Sequence, residues 1–194
     1  MTGWCLEVVF TSMESILIHD WRLMGRTSLL MFPIYGCGAL LAGRLAMKVL
    51  GKKTVLATPA CCFAATTSVY PESAIFVNNV VTAFPALAST LAGMSVGGEA
   101  LGWDDDITYV GIGGDGGTLD IGLQALSGAV ERNDNILYIC YDNEAYMNTG
   151  IQKSSLTPFG AKTTTTPAGK NAHGCLTQKK NVFEIIAAHG LPYA

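Results

Sequence analysis

Ile107-Thr-Tyr-Val-Gly-Ile-Gly-Gly-Asp115-Gly-Gly-Thr118 is the stretch whose reading decides the fold. Ile107 to Ile112 reads as a strand. Leu119, Leu123, Leu126 and Val130 then fall at i, i+4, i+7 and i+11, one apolar face of a helix whose expected N-cap is Thr118. A second strand follows at Asn135 to Tyr141, a nearly continuous apolar run of the kind found where both faces of a parallel sheet are covered. Strand, helix and strand in this order form a βαβ unit, which is almost always right-handed.

The same alternation extends outward. Gly38 to Leu50 has helical apolar spacing and closes at Gly51-Lys52-Lys53, and Thr54 to Thr58 reads as a short buried strand. Phe84 to Val96 is an alanine-rich helix expected to stop at Gly97-Gly98. Phe183 to His189 is another, with Gly190 at its C′ position, and Leu191-Pro192-Tyr193 looks like the start of a further strand. The expected fold is α/β, an open and mainly parallel sheet with helices on both faces. Residues 1–33 are apolar through Trp4, Phe10, Trp21 and Phe32 but show neither a helical period nor turn signals that define strands, so they stay unassigned. Residues 34–194 are expected to form one domain, part of a longer polypeptide.

Composition excludes several classes. Of 194 residues, 49% are apolar and only 14% charged, against an average of about 25% charged, which is the reverse of the disorder signature. With 12 Lys plus Arg against 15 Asp plus Glu, no nucleic-acid binding by phosphate neutralisation is expected. Between Val55 and Trp103 there is no Lys or Arg, and Glu72 and Glu99 are the only acids. Pro59, Pro71 and Pro85 interrupt every span approaching the ~20 apolar residues that cross a bilayer, so burial against partner subunits is the expectation rather than a membrane. The first basic residue is Arg22, unlike a secretory leader. The six cysteines, Cys5, Cys37, Cys61, Cys62, Cys140 and Cys175, are therefore expected in a reducing cytoplasm.

A glycine-rich turn from strand to helix lets a ligand approach the backbone, and its exposed N–H groups favour phosphate. The same glycines also suit a plain tight turn. Asp115 decides against a dinucleotide, because its carboxylate would face the pyrophosphate unless a cation stood between them. Mg²⁺ fills that role with oxygen ligands from protein and phosphate together. A second ligand should come from the end of the neighbouring strand, at Tyr141-Asp142-Asn143-Glu144. Asn143 lies 28 positions after Asp115, enough for a turn, a helix, a return loop and a strand. Ordinary loop capping is the alternative role for Asn143 and Asn148.

Gly114-Asp115-Gly116, followed after about two dozen residues by Asp142-Asn143, resembles the thiamine diphosphate motif, with Asp142 in place of its first Asn. Gly113 to Gly122, Tyr141 to Gln152, Thr157-Pro-Phe-Gly-Ala161 and Thr163-Thr-Thr-Thr-Pro167 closely resemble the thiamine-binding β subunit of the 2-oxoacid:ferredoxin oxidoreductases, the pyruvate enzyme above all. The likeness runs from about Cys37 to Ala194. It implies that Gly114, Asp115, Gly116 and Gly117 hold the diphosphate. It further implies that Asp115, the Asn143 side chain and the Ala145 carbonyl ligate Mg²⁺, and that Asn148 lies close to the reacting substrate. Cys37 and Cys62, 25 residues apart, resemble the second and third ligands of a [4Fe–4S] cluster. Ile34 stands at the first ligand position, and two thiolates cannot hold a cluster that needs about four ligands, so the chain is not expected to assemble one by itself.

The resemblance implies the cofactor-binding part of an enzyme that converts a 2-oxoacid and coenzyme A into acyl-CoA and CO₂ and passes the electrons released to ferredoxin. Its partners would be the other oxidoreductase subunits, of α, γ and δ type, with the glutamate that activates the cofactor on the α partner. Another thiamine diphosphate decarboxylase or synthase, or a noncatalytic remnant, are the competing expectations.

Overall fold

Alternation along three strands decides which side of the sheet each helix covers. In the computed structural model, which describes residues 7–12, 37–67, 75, 77–103 and 106–190, Val55, Ala57, Tyr109, Tyr138 and Cys140 point to one face. Leu56, Val110, Ile112, Ile139 and Tyr141 point to the other. Successive side chains of a strand alternate between faces, so a strand apolar at every position must be buried on both.

The strands are β1 (Glu7–Ser12), β2 (Thr54–Pro59), β3 (Asn78–Thr82), β4 (Thr108–Gly114) and β5 (Leu137–Asp142), paired in the order β1-β5-β4-β2-β3, all parallel. The helices α1 (Gly38–Leu50) and α2 (Cys62–Thr67) pack on the Leu56 face. On the Val55 face lie α3 (Leu87–Ala100), α4 (Leu123–Glu131) and α5 (Val182–Ala187). At Gly111 a Cβ would overlap Leu91, so the glycine lets α3 sit directly on the strand. Beyond the sheet, the two-residue strands β6 (Ala145–Tyr146) and β7 (Gln152–Lys153) form an antiparallel pair, as do β8 (Ala168–Gly169) and β9 (Ala172–His173).

The expected α/β architecture is present, with differences at its edges. Thr118 is not an N-cap: β4 runs to Gly114, the helical turn starts at Asp115 without a linker, and a π-helical turn over Gly117–Ile121 leads into α4. The fully buried Thr118 hydroxyl donates instead to the Gly114 carbonyl at 2.7 Å and meets Tyr138 Oη at 3.1 Å. Helix α3 starts at Leu87 rather than Phe84 and continues through Gly97-Gly98, ending at Ala100 ahead of Gly102 (φ 66°). Gly98 serves packing rather than termination, since a Cβ there would overlap Tyr109. Helix α5 is capped by Asn181, whose Oδ1 accepts from Glu184 N, and His189 ties its end to α4 through Ser127 Oγ at 2.8 Å.

Strand β1 falls in the segment where the sequence carried no strand signal. Strand β3 begins Asn78-Asn79 and is largely exposed, so no apolar run announced it either. The readings at Cys5, Ile34 and Leu191 to Tyr193 lie outside the described residues. Among the described residues no helix is long and apolar enough to cross a membrane.

Leu126 of α4 is fully buried in the larger of the two apolar clusters. Leu126→Ala is expected to cost about 2–5 kcal/mol, read as a lower urea midpoint at unchanged slope.

Candidate functional site

The chain leaves β2 toward β3 and leaves β4 in the opposite direction toward β5, so the connections diverge at the carboxyl ends of these two neighbouring strands. Open α/β sheets bind ligands in such a crevice. A cavity of about 350 Å³ opens there, lined by Ala60 to Cys62 after β2, by Gly114 to Gly117 after β4, and by Asn143, Ala145 and Asn148 after β5.

Asp115 occupies the first helical position after β4 and is 2% exposed. Burial, reinforced by the charge of Asp142, pushes its carboxyl up to about 7, against the opposing hydrogen bond from Ser154. Ser154 Oγ donates to Oδ2 at 2.5 Å. Among the described residues no lysine, arginine or histidine pairs with Asp115. A buried carboxylate in that state is costly unless a cation joins it.

Asn143 and Ala145 meet Asp115 across the crevice. One terminal atom of the Asn143 amide lies 2.9 Å from Asp115 Oδ1 and 2.9 Å from the Ala145 carbonyl oxygen. Turned one way, the NH₂ group donates to both. Turned the other way, the amide oxygen faces two further oxygens, each at a separation with a physical meaning. Magnesium–oxygen bonds of about 2.0–2.1 Å in an octahedron put neighbouring oxygens about 2.9 Å apart. The donor set therefore fits a magnesium ion: one carboxylate, one amide and one carbonyl oxygen, with an uncompensated buried charge among them.

The loop is shaped for this. Glu144 adopts φ 68°, unusual for a side chain of its kind, and its N–H donates to Asp142 Oδ1 at 2.9 Å, which turns the chain between Asn143 and Ala145. Lys179 takes up the flanking acids, at 3.2 Å from Asp142 and 2.6 Å from Glu144. Although burial works against its charge, these carboxylates hold the Lys179 ammonium above its usual range.

Tyr146 forms the wall over the glycine turn. Its ring lies where a Cβ on Gly116 would stand and meets Phe84 edge-on at 6.0 Å, while a Cβ on Gly117 would come within 2.9 Å of Phe84. The Tyr146 hydroxyl donates to Asp120 Oδ2 at 2.7 Å. Asp120 also accepts from Ser155 N at 3.1 Å and Lys180 Nζ at 3.2 Å, and Lys180 donates to the Leu119 carbonyl at 2.6 Å. Burial raises the Asp120 pKa, but these hydrogen bonds outweigh it and leave the carboxyl below its usual range.

Asn148 lies exposed at the mouth, with its backbone N–H toward the Cys62 thiol. Burial, then the neighbouring Cys61 and Cys37, raise the Cys62 pKa, so the fold brings these three thiols near one another. Among the described residues no group of three or more His, Cys, Asp or Glu side chains is arranged to hold a metal ion.

Asp115, Asn143, Ala145 and Gly114 to Gly117 thus share one cavity with Asn148. Sequence reasoning passed over Ser154, Thr157, Asp120, Tyr146 and Lys180. Ser154 and Thr157 sit in a short polar run whose inward side no period reveals.

The fold is that of a ligand-binding α/β domain with its cavity at the switch point of the sheet, and the chain belongs to the thiamine pyrophosphate enzymes. Residues 61–194 match the family described as thiamine pyrophosphate enzyme, C-terminal TPP binding domain. Similar proteins narrow the comparison. The pyruvate synthase subunit PorB of Methanothermobacter thermautotrophicus is 54% identical over 158 residues, 81% of this chain and 54% of that protein. The ketoisovalerate oxidoreductase subunit VorB of Pyrococcus horikoshii is 50% identical over 163 residues, 82% of this chain and 52% of that protein. The chain spans about half the length of the curated relatives it matches. A solved 2-oxoglutarate:ferredoxin oxidoreductase from Magnetococcus marinus, with 2-oxoglutarate, coenzyme A and succinyl-CoA bound, shares the fold. Its TM-score is 0.67 at 20% identity, covering 91% of this chain and 57% of that one.

Proposed function

We propose that this chain is the cofactor-anchoring part of a 2-oxoacid:ferredoxin oxidoreductase, with pyruvate as its 2-oxoacid, working in the cytoplasm. The observation that carries the reading is the Asn143 amide placed 2.9 Å from both Asp115 Oδ1 and the Ala145 carbonyl oxygen, the separation of neighbouring oxygens around Mg²⁺, beside a glycine turn. Identity above 50% with a pyruvate synthase subunit supports the choice of substrate.

In this reading Asp115, Asn143 and Ala145 hold Mg²⁺, and the N–H groups of Gly114 to Gly117 receive the diphosphate at the start of a helix, where the backbone dipole favours negative charge. Tyr146 closes the wall over that turn and excludes water from the phosphate side. Asn148, at the mouth, offers its amide to the substrate carboxylate or carbonyl. Thiamine diphosphate, when bound, supplies the nucleophilic carbon and electron sink on which a 2-oxoacid loses CO₂. Cys37 and Cys62 are only two of the about four ligands that an iron–sulfur cluster requires. The assembly comprises α-, γ- and δ-type subunits and meets ferredoxin and coenzyme A. An intact donor set argues against a remnant that has lost its site.

The test is turnover by the native assembly with Mg²⁺ and thiamine diphosphate. Pyruvate is expected to reduce ferredoxin only when coenzyme A is present, with one acetyl-CoA formed for each CO₂. Release of free aldehyde without acceptor reduction would instead identify a non-oxidative decarboxylase.

A further inference from the structure

Two buried hydroxyls connect the elements that carry the three oxygens. Ser154 and Thr157 are each 1% exposed. Ser154 Oγ accepts from Leu156 N at 3.2 Å, so its own proton is free to go to Asp115 Oδ2. Ser154 N–H donates to Thr157 Oγ1 at 2.9 Å, and Thr157 Oγ1 donates to the Glu144 carbonyl at 2.6 Å. The bonds run outward from Ser154, through its Oγ to the end of β4 and through its N–H and Thr157 to the loop after β5.

Each bond has a geometric consequence at the cavity. With Oδ2 tied to Ser154, the Asp115 carboxylate turns Oδ1 toward Asn143 and Ala145. With the Glu144 carbonyl drawn to Thr157, the Ala145 carbonyl is the one left facing Asn143. Glu144 itself has φ 68°, a conformation that persists in a non-glycine residue only where its surroundings hold it, and Thr157 and Asp142 hold it from both sides.

We infer that Ser154 and Thr157 are positioning residues that keep the three oxygens at the spacing of a small octahedral cation, and so make the site select Mg²⁺ over Ca²⁺. The physical basis is the difference in ligand demand: Mg²⁺ requires near-ideal octahedral geometry at about 2.0–2.1 Å, whereas Ca²⁺ tolerates irregular cages at about 2.3–2.6 Å. Loosening the brace penalises the smaller ion more. This inference rests on the cation site proposed above.

The experiment titrates the full protein in its native assembly with Mn²⁺, followed by electron paramagnetic resonance, and displaces it with Mg²⁺ or Ca²⁺. Ser154→Ala and Thr157→Val are expected to weaken Mg²⁺ about 10- to 100-fold, the usual effect of removing a partner of a metal ligand, and to weaken Ca²⁺ less. Thr157→Ser, which keeps the hydroxyl, is expected to restore both the affinity and the Mg²⁺/Ca²⁺ ratio. Ser127→Ala removes a hydroxyl of α4 that bonds His189 and serves as the control. A lower melting midpoint in Ser154→Ala or Thr157→Val with cation affinity and ratio unchanged would overturn the inference, since the hydroxyls would then serve stability alone. So would an equal loss in Ser127→Ala. If Asp115→Ala also leaves Mn²⁺ binding intact, the cation site itself is misassigned, whatever the brace variants do.

Discussion

Asp115→Ala is expected to lower retention of thiamine diphosphate by at least about 100-fold in the presence of Mg²⁺, measured by calorimetric titration of the native assembly. The side chain is the one carboxylate among the three converging oxygens, and Mg²⁺ is commonly held by one or two such groups together with phosphate oxygens. Its loss leaves an amide and a carbonyl, neither carrying the charge that offsets the cost of drying the ion. Asp115→Asn should fall between, keeping an oxygen but no charge. A second readout moves the other way. Because Asp115 is 2% exposed and has no cationic side-chain partner among the described residues, the cation-free melting midpoint of Asp115→Asn should equal or exceed that of the unaltered protein. Unchanged cofactor affinity in Asp115→Ala would remove the basis for the proposed site.

Gly116→Ala should produce the second large effect through sterics alone. A Cβ at Gly116 would overlap the Tyr146 ring, which cannot simply retreat because its hydroxyl is bonded to Asp120 at 2.7 Å and its edge meets Phe84. Overpacking of this kind costs about 1–3 kcal/mol in stability. Displacement of the turn should weaken diphosphate binding about 10-fold or more. Gly93→Ala provides the contrast: nothing lies within 4 Å of its Cβ position on α3, and the change should stabilise by about 0.5–1 kcal/mol. Combining Gly116→Ala with Tyr146→Ala should be strongly non-additive in urea unfolding, because the second change removes the object of the overlap. Simple additivity would show that the ring is not what the glycine accommodates.

The parts of the fold legible in the sequence were those where one physical demand acts alone. The run Leu137 to Tyr141 had to be buried on both faces, and the spacing of Leu119, Leu123, Leu126 and Val130 had to present one face, so sheet and helix followed. The pairing of Asp115 with Asn143 was legible because a carboxylate in a phosphate-binding turn needs a cation, and a cation needs a second ligand from the adjacent strand end. The errors arose where two demands competed. Thr118 has the chemistry of an N-cap, but β4 enters its helix directly at Asp115, so the hydroxyl turned inward to Gly114 and Tyr138. Gly97-Gly98 has the chemistry of a helix end, but Gly98 makes room for Tyr109. Nothing local distinguished the inward Ser154 and Thr157 from other polar loop residues.

The sequence by itself determined the α/β class, the glycine-rich strand-turn-helix, and two oxygen-bearing side chains 28 positions apart that the fold brings together. Those features depend on periodicity and residue chemistry, which are local. Only the tertiary structure decided that the Asn143 amide sits 2.9 Å from both Asp115 Oδ1 and the Ala145 carbonyl oxygen. It alone revealed that Ser154 and Thr157 hydrogen-bond to Asp115 and to the Glu144 carbonyl and that Tyr146 covers the turn. Such contacts depend on the order β5-β4-β2 and on how far each strand runs before its chain turns, quantities set by packing across the whole sheet.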